Sequence, residues 1–313
     1  MKVTTGLEAY EPGARPTAVA IGNFDGLHLG HRRILQTLRR VSRRRKLRSL
    51  VLTFHPHPER VLGRTKTLML QTVPQRLESL RGSGVDRVLV TGFDRRFSGL
   101  SPRDFVKTVL RDGLNAEAVV VGGNFRFGRN RAGDVKALKA IGAGLGLEVY
   151  AVAPVRKNGL VVSSSLIRSL LAKGRVEDAA RYLGRPFTVS GRVIHGRAVG
   201  RKIGFPTANL HSENEILPAG VFITVARVGN KLHPSITNIG FRPTFGRGGL
   251  SLETVLLDGR KNLYGRTMDV LFIKRIRPER KFSSPGALTR QIARDVQIAR
   301  DYFKAHPLKG RRS

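Results

Sequence analysis

The chain has 313 residues, which is long enough for two domains that each bury a hydrophobic core. It contains no cysteine, and this excludes disulfide bridges and thiolate metal sites. Lys and Arg number 57 against 22 Asp and Glu, a formal net charge of +35, and the first residues lack the apolar run of a secretory signal. We therefore expect a soluble cytoplasmic protein without a membrane partner.

The excess of positive charge has two interpretations. A basic surface gains affinity for nucleic acid by releasing counterions from phosphates, whereas a bias towards arginine combined with small polyanionic substrates gives the same total. The densest basic cluster, residues 39–48, falls at the predicted end of a helix, where cations are favourable, and it has no aromatic residues for stacking on bases. We favour the second interpretation, so nucleic acid is not a required partner, although non-specific binding to it stays open.

The first 170 residues alternate short apolar runs with amphipathic stretches. Strands that are apolar on both faces and separated by helices are typical of a mainly parallel sheet covered on both sides. Ligands bind such sheets beyond the carboxyl ends of the strands. The predicted strands are Thr17–Ile21, Ser49–Phe54, Arg87–Thr91, Ala118–Gly122 and Glu148–Ala153. The predicted helices lie near residues 30–45, 74–82, 102–112 and 134–145.

A segment with three glycines and two histidines, residues 22–31, follows the first of these strands. The glycines let the backbone approach a ligand closely, and the start of the next helix offers free N–H groups to a phosphate. His28 and His31 share a face there and can donate hydrogen bonds to phosphate oxygens on which charge develops. Two histidines alone also suit a metal pair or a packed turn, but their position in a βα unit favours a nucleotide site.

The pattern changes in the second half of the chain. Residues 164–183 predict two short helices, each closed by a glycine. From Phe187 onward come β-rich runs separated by turns, with no helical period until Ala287–Phe303. Consecutive strands without intervening helices predict an antiparallel barrel capped by one C-terminal helix. We place the boundary near residues 184–186, which gives domains 1–184 and 185–313.

The predicted barrel opens with a second glycine-rich segment, residues 191–209. Closely spaced glycines with Arg and Lys make a loop that is able to wrap phosphates. Thr207 and Asn209 are two residues apart, so on an extended chain they face the same side, and both offer hard oxygen ligands of the kind that Mg²⁺ prefers. For these two residues alone, a β-turn with local side-chain hydrogen bonds is the better interpretation.

The H-x-G-H pattern after a first strand resembles nucleotidylyltransferases, and the string GNFDGLHLGH is similar to the adenylyltransferase module of bifunctional bacterial riboflavin kinase/FAD synthetases. Residues 52–58, 121–128 and 163–168 match further segments of that family in order. The resemblance implies a Rossmann-like domain in which His28 and His31 stabilise the transition state as FMN attacks the α-phosphorus of ATP. It also implies ATP contacts from Gly22, Asn23, Phe24, Gly30, Asn124, Ser164, Ser165 and Arg168.

Three positions qualify this first match. Arg168 without its flanking serines would be an ordinary helical surface charge, whereas with them the resemblance implies that it balances charge on the departing pyrophosphate. Many relatives carry Asp at the position of Asn124 and Arg at the position of Leu166. We expect neither departure to abolish activity.

The string G-R-x-x-G-F-P-T-A-N, residues 200–209, resembles the ATP/Mg²⁺ motif of riboflavin kinases. The resemblance implies that Glu253 is the general base, since phosphoryl transfer to an alcohol needs a carboxylate near the hydroxyl; a solvated strand residue is the alternative. The histidine expected two residues later is replaced by Val255. The implied ATP contacts are Gly196, Arg201, Gly204, Pro206, Thr207 and Asn209, the last two also holding Mg²⁺.

The resemblance covers about residues 18–303 and implies two reactions: phosphorylation of riboflavin to FMN by ATP, then adenylylation of FMN to FAD, with Mg²⁺ assisting both. The implied partners are the small molecules ATP, riboflavin and FMN, and we expect a monomer or weak oligomer. Two alternatives stay open. One is a relative in which a single module is active, and the other is a basic RNA- or membrane-surface-associated protein with a vestigial enzyme core.

Overall fold

The computed structural model describes residues 1–63, 67–195, 205–241, 250–259 and 261–308. By internal contacts the chain divides into two compact units, Met1–Ser164 and Ser165–Ser313. The first unit contains a parallel sheet and the second a closed antiparallel barrel, so the predicted fold class is confirmed. None of the helices in the described ranges combines the length and the apolar character that crossing a bilayer requires.

The first unit is built on a six-stranded sheet in the order β1-β4-β3-β2-β5-β6, in which every neighbouring pair is parallel. Its strands are β1 (Lys2–Thr5), β2 (Thr17–Ile21), β3 (Arg48–Phe54), β4 (Arg87–Thr91), β5 (Ala116–Gly122) and β6 (Glu148–Val152). Its helices are α1 (Leu29–Arg44), α2 (Pro58–Val61), α3 (Val73–Arg81), α4 (Arg95–Ser98), α5 (Pro102–Asp104), a π-helix (Phe105–Gly113), a 3₁₀ turn (Arg129–Arg131) and α6 (Val135–Ala143). A short hairpin of β7 (Arg156–Lys157) and β8 (Leu160–Val161) follows.

Both faces of the sheet are buried. Successive side chains of a strand point to opposite faces, so a fully buried strand contributes to a core on each side. On β2, Val19 and Ile21 join the core that packs against the π-helix and α6. Ala18 and Ala20 join the core that packs against α1. This two-sided burial explains why the central strands read as continuous apolar runs.

The strand order reverses direction at β2. The chain runs from β2 to β3 and β4 on one side, and β5 then pairs with the other side of β2. The carboxyl ends of β2 and β5 therefore border the crevice in which ligands of open α/β sheets bind. The two segments that follow these strands begin at Gly22 and Gly123.

Besides the two-residue strands β7 and β8, two strands were not predicted from the sequence. β1 is a short, partly exposed edge strand that pairs with β4, and β10 (Ala208–Ser212) begins at the end of the second glycine-rich segment. Both are polar and four or five residues long, so neither has an apolar period to mark it. The helix predicted near 102–112 is present as α5 followed by the π-helix, and the structure offers no physical reason for the wider turns.

Helix α7 (Ser164–Ala172) starts at the last residue of the first unit, and α8 (Val176–Leu183) lies in the second. The six strands of the second unit close into the barrel β10-β13-β12-β11-β14-β9. The remaining strands are β9 (Phe187–Ile194), β11 (Gly220–Val228), β12 (Lys231–Phe241), β13 (Leu250–Leu256) and β14 (Thr267–Arg277). Helix α9 (Pro285–Ala305) follows and covers part of the outer face through an apolar cluster that includes Val221, Ile223 and Val296. The predicted C-terminal cap is thus present.

The barrel interior contains a chain of buried hydroxyl groups. Thr224 Oγ1 lies 2.8 Å from Ser235 Oγ and 2.8 Å from Thr237 Oγ1, and Thr237 Oγ1 lies 2.9 Å from Thr254 Oγ1. All four side chains are fully buried. Because each hydroxyl finds a partner, their burial costs little, and the Thr237–Thr254 pair ties β12 to β13 in a defined register.

An ion pair anchors α9 to the barrel. Arg277, at the end of β14, donates to Asp295 Oδ2 from Nε at 3.0 Å and from Nη2 at 2.8 Å. Gln291 Nε2 donates to the other carboxylate oxygen at 2.7 Å. Asp295 is 2% exposed, so both of its oxygens must be satisfied inside the protein.

We predict that Asp295→Ala destabilises the barrel unit by about 3–5 kcal/mol, because it leaves the Arg277 guanidinium largely buried without its counterion. Asp301→Ala on the same helix is the matched control. Asp301 pairs with Lys304 at 3.8 Å on the surface, and such exposed pairs contribute about 0–1 kcal/mol. Urea unfolding followed by far-UV circular dichroism measures both changes, and equal losses in the two variants would contradict the anchoring role of Asp295.

Candidate active sites

The turn between β2 and α1 places both predicted histidines at the start of the helix. His28 is the N-cap, with extended backbone angles, and its Nδ1 accepts a hydrogen bond from the His31 backbone N–H at 3.2 Å. This bond satisfies one of the N–H groups that a helix start leaves without an intrahelical partner. The cap therefore fixes the orientation of the His28 ring.

The two imidazole rings are stacked, with centroids 3.7 Å apart and an angle of 15° between their planes. Gly30 lies between them in sequence, and a Cβ atom there would approach His28 ring atoms to 3.1 Å, closer than ordinary van der Waals contact. Phe24 packs against His31 with ring centroids 5.2 Å apart and is itself fully buried in the core. The H-x-G-H spacing thus allows two rings to stack at one helix start.

His31 is held in its neutral form. Burial lowers the pKa of His31 well below the ordinary value of 6.5, and the neighbouring charge of His28 lowers that pKa further. The His31 Nδ1 atom is shielded from solvent and has no hydrogen-bond partner among the described residues. A ligand with negative charge would oppose both effects, because it favours the protonated ring.

This lowered pKa predicts a pH dependence of stability. Below pH 6.5 the unfolded chain protonates His31 while the folded chain does not, so the free energy of unfolding falls by up to about 1.4 kcal/mol per pH unit until the folded pKa is reached. Urea unfolding between pH 7.5 and 5 should show a shallower pH dependence for His31→Gln than for the wild type. His55→Gln, at an exposed position after β3, is the control; equal slopes for wild type and His31→Gln would contradict the prediction.

Asn23 connects this turn to neighbouring elements. Its side-chain Nδ2 lies 2.7 Å from His57 Nε2. Its backbone carbonyl oxygen accepts hydrogen bonds from Thr53 Oγ1 at 3.1 Å and Arg76 Nη1 at 2.9 Å. Arg76 also donates to the Phe54 carbonyl at 3.1 Å. Arg76, buried on α3, thereby joins the carboxyl ends of β2 and β3.

Sequence reasoning did not single out His57, Arg76 or Asp25. Asp25 is buried, and its carboxylate accepts from the backbone N–H groups of Leu70 at 3.0 Å and Gln71 at 3.2 Å. A charged residue inside an apolar motif, as Asp25 is between Phe24 and Leu27, is the signal that marks such a position. Arg76 carries no comparable mark, because its partners, the backbone carbonyls of Asn23 and Phe54, lie at least 22 residues away in sequence.

The other predicted residues of this site are distributed over three segments. Gly22 follows β2 directly, and Asn124 is exposed in the turn after β5, at the other side of the crevice. Ser164 Oγ, at the last residue of the first unit, donates to the Asp25 backbone carbonyl at 2.9 Å. Ser165 and Arg168 lie three residues apart on α7 in the second unit, so they share one face of that helix.

An aromatic cluster lies at the carboxyl edge of the same sheet. Its rings are linked by centroid distances of 5.5 to 5.9 Å. Three of its members are only partly buried and follow β4 or β5. The cluster consists of Phe54, Phe93, Phe97, Phe105, Phe125 and Phe127. A planar aromatic ligand at this edge would meet rings in edge-to-face and stacked orientations.

The second candidate site is a row of polar residues across three strands of the barrel. Asn209 on β10 lies opposite Glu253 on β13, and Glu253 lies opposite Asn238 on β12. Directly opposed residues of antiparallel strands point to the same face, with Cβ atoms about 5 Å apart. Glu253 is thus flanked by an asparagine on each side.

This row faces outward. The adjacent residues Thr254 and Thr237 point into the barrel interior, where they are fully buried, so Glu253 and Asn238 point the other way. The outer face next to the row carries Val255 and Ile236, which belong to the apolar cluster under α9. Glu253 is half-buried and its Oε1 atom is shielded from solvent.

Pro206 and Thr207 precede β10 and are half-buried. Gly196, Arg201 and Gly204, the other predicted ATP contacts of this site, lie outside the described residues. No group of three or more His, Cys, Asp or Glu residues with the geometry of a metal site occurs in the described part of the chain. The side chains that Thr207, Asn209 and Glu253 contribute to this region carry oxygen donors.

Comparisons with known proteins match both halves of the chain. A family model described as FAD synthetase matches residues 11–166, and one described as riboflavin kinase matches residues 183–303. The bifunctional riboflavin kinase/FMN adenylyltransferase of Escherichia coli (strain K12) is 38% identical over 307 residues, which cover 97% of this chain and 98% of that protein. The protein of the same description from Bacillus subtilis (strain 168) is 35% identical, with 92% of each chain covered.

A solved structure also aligns with nearly the whole chain. It is described as a macrolide-efflux protein from Streptococcus pneumoniae and is 26% identical in sequence. The alignment has a TM-score of 0.87 and covers 96% of this chain and 99% of that one. The arrangement of a parallel sheet followed by a barrel is therefore shared with an experimentally solved protein.

Proposed function

This chain belongs to the family of bifunctional riboflavin kinase/FMN adenylyltransferases, and from that membership we propose which of its residues carry each reaction. The enzyme phosphorylates riboflavin to FMN and then transfers AMP from ATP to FMN, which gives FAD and pyrophosphate. We assign adenylyl transfer to residues 1–184 and phosphorylation to residues 185–313. The observation that carries this assignment is that the histidine pair and the Glu253 row lie in different units, each inside the range matched by one of the two family models.

In adenylyl transfer, His28 and His31 stabilise the transition state. The FMN phosphate is already an anion, so its attack on the α-phosphorus of ATP needs no protein base, and catalysis rests on positioning and on donors aimed at the developing charge. The stacked rings at the start of α1 supply such donors, and the helix N-terminus adds its dipole. Gly22 and Gly30 leave room for the phosphates, whereas the buried Phe24 acts by packing under His31.

The aromatic cluster at the carboxyl edge of the sheet is the proposed binding site of the FMN ring system. Phe93, Phe97 and Phe125 are its partly exposed members. The first two follow β4, and Phe125 follows β5, whose carboxyl end borders the crevice. An isoalloxazine ring gains both apolar burial and ring-to-ring contacts there. Asn124, exposed next to Phe125, is suited to the ribose or a phosphate, and Ser164, Ser165 and Arg168 to the ATP phosphates.

In phosphorylation, Glu253 is the general base. Its carboxylate accepts the proton of the riboflavin 5′-hydroxyl while that oxygen attacks the γ-phosphorus of ATP, and the bond to the ADP oxygen breaks. Its half-buried position beside an apolar surface keeps bulk water away from that proton. Val255, where a histidine was expected, lies in the apolar cluster, so it contributes packing next to the base.

The residues beside Glu253 fit Mg²⁺. Asn209 lies across the strand pair from the carboxylate, and Thr207 precedes the same strand, so the donor set is entirely oxygen, which this hard ion prefers. When bound, Mg²⁺ neutralises charge on the transferred phosphate. Thr207 and Asn209 are its proposed protein ligands, and Pro206, Gly196, Arg201 and Gly204 the remaining proposed ATP contacts of the kinase.

Product analysis tests the proposal as a whole. The pure protein with riboflavin, ATP and Mg²⁺ is expected to form FMN first and FAD afterwards, and FMN supplied in place of riboflavin should give FAD directly. Chromatography with flavin absorbance detection measures all three flavins. Formation of FMN alone, or unchanged riboflavin and FMN, would contradict the corresponding half of the assignment.

A further inference from the structure

We propose that Asn238 positions riboflavin for phosphorylation by hydrogen-bonding secondary hydroxyl groups of its ribityl chain, and that it thereby selects a polyol chain as the group next to the phosphate acceptor. This inference rests on the proposed role of Glu253 as the general base of the kinase. Asn238 is not part of either family-derived set of site residues.

The first observation is the order of residues around the outer face of the barrel. Strand pairing aligns Asn209 with Glu253, Glu253 with Asn238, and Asn238 with Val221 of β11. Adjacent strands are about 4.8 Å apart. Asn238 therefore lies one strand from the base, on the side away from the proposed Mg²⁺ ligand Asn209.

The second observation is the change of polarity along this line. Val221 belongs to the apolar cluster under α9, together with Ile292 of that helix. Val221 is buried under α9, so the line of residues open to a ligand begins beside this covered apolar patch and passes through an amide and a carboxylate to the proposed metal ligand. Riboflavin, placed opposite the γ-phosphate that its 5′-hydroxyl attacks, has the matching order of polyol chain, terminal hydroxyl and phosphate.

The third observation is that the Asn238 amide is available. Asn238 is half-buried, and its side chain forms no hydrogen bond with other described residues. An amide offers both a donor and an acceptor, which matches a hydroxyl group in both of its roles. A carboxylate at this place would instead repel Glu253, and an aliphatic side chain would leave the polyol without a partner.

The register that brings Asn238 to the base is set inside the barrel. Thr237 and Thr254, the residues next to Asn238 and Glu253, share the interior hydrogen bond of 2.9 Å. A one-residue slip of β12 against β13 would turn Asn238 to the interior and break this bond. The same hydroxyl pair therefore holds the two functional side chains opposite each other.

The test combines Asn238→Ala with riboflavin analogues that lack the 3′- or the 4′-hydroxyl group. For the wild type, removing the contacted hydroxyl should lower kcat/KM for FMN formation by about tenfold, the value of roughly one hydrogen bond. In Asn238→Ala, kcat/KM for riboflavin should fall by about tenfold because KM for riboflavin rises, whereas KM for ATP should not change. This variant should have the same kcat/KM for riboflavin and for the analogue that lacks the contacted hydroxyl.

Two controls separate recognition from misfolding. Asn262→Ala removes an exposed asparagine from a loop of the same unit and should retain full discrimination. FAD formation from supplied FMN, carried by the other unit, should be normal in both variants. If Asn238→Ala lowers activity equally for riboflavin and both analogues, or leaves it unchanged, the proposal is overturned.

Failure of the underlying assignment would give a different result. If Glu253→Gln retains full kinase activity, the base is misassigned, whatever Asn238 does. If Glu253→Gln is inactive and the analogues are still discriminated by Asn238→Ala, the kinase assignment stands and the role of Asn238 is refuted.

Discussion

Glu253→Gln is expected to lower kcat for FMN formation by about 10²–10⁴-fold, the usual contribution of a positioned general base. Glutamine preserves the size of the side chain and its place between Asn209 and Asn238, but an amide oxygen is too weakly basic to accept the hydroxyl proton. KM for riboflavin and for ATP should change little, because the lost interaction is made in the transition state. Initial rates with riboflavin, ATP and Mg²⁺ provide the measurement.

The same variant contains its own control. FAD formation from supplied FMN should proceed at the wild-type rate, since that reaction needs no protein base and is assigned to the other unit. Glu213→Gln, at an exposed position of the barrel unit, should leave both reactions unchanged. Full kinase activity of Glu253→Gln would rule out its role as the base, and parallel loss of both reactions would indicate unfolding.

Replacement of either histidine of the pair should stop the pathway at FMN. Removing one donor to developing charge typically costs about 10²–10³-fold in kcat, so His28→Asn and His31→Gln are each expected to lower FAD formation by that factor. Asparagine at position 28 retains a good N-cap, which separates loss of the imidazole from loss of the helix start. Riboflavin should still be converted to FMN, which accumulates.

Gln36→Ala is the matched control for this second experiment, because Gln36 is exposed on the same helix and its loss leaves the cap and both rings intact. It should make FAD at the wild-type rate. If His28→Asn and His31→Gln retained that rate as well, the stacked pair would have no part in adenylyl transfer.

Much of the fold follows from local periodicity. Continuous apolar runs identified β2 and β4 with their observed bounds, and a β-rich run with alternating burial corresponds to β9 (Phe187–Ile194) in the barrel. Two-sided burial in a parallel sheet and one-sided burial in a barrel leave different patterns in the sequence. The polar strands β1 and β10 could not be predicted in this way. β1 is placed by its pairing with β4, and β10 by its pairing with β9 and β13.

The candidate sites divide in the same way. His28 and His31 could be identified from sequence because a helix start brings residues three apart together, and Glu253 because of the segments around it. Arg76 and Asn238 could not be identified as site residues. The partner of Arg76 is the backbone carbonyl of Asn23, in the turn after β2, and the neighbour of Asn238 is Glu253 on β13, so both partners lie far away in sequence or on another strand.

The sequence by itself therefore determined the two fold classes, the histidine pair at the start of α1 and the overall charge, all of which depend on residues that are neighbours along the chain. Only the tertiary structure decided the stacking of the two imidazole rings, the aromatic edge of the sheet and the row of Asn209, Glu253 and Asn238. The physical reason is that strand register and side-chain packing are set by contacts between distant segments, and a change of one residue in register turns a side chain to the opposite face.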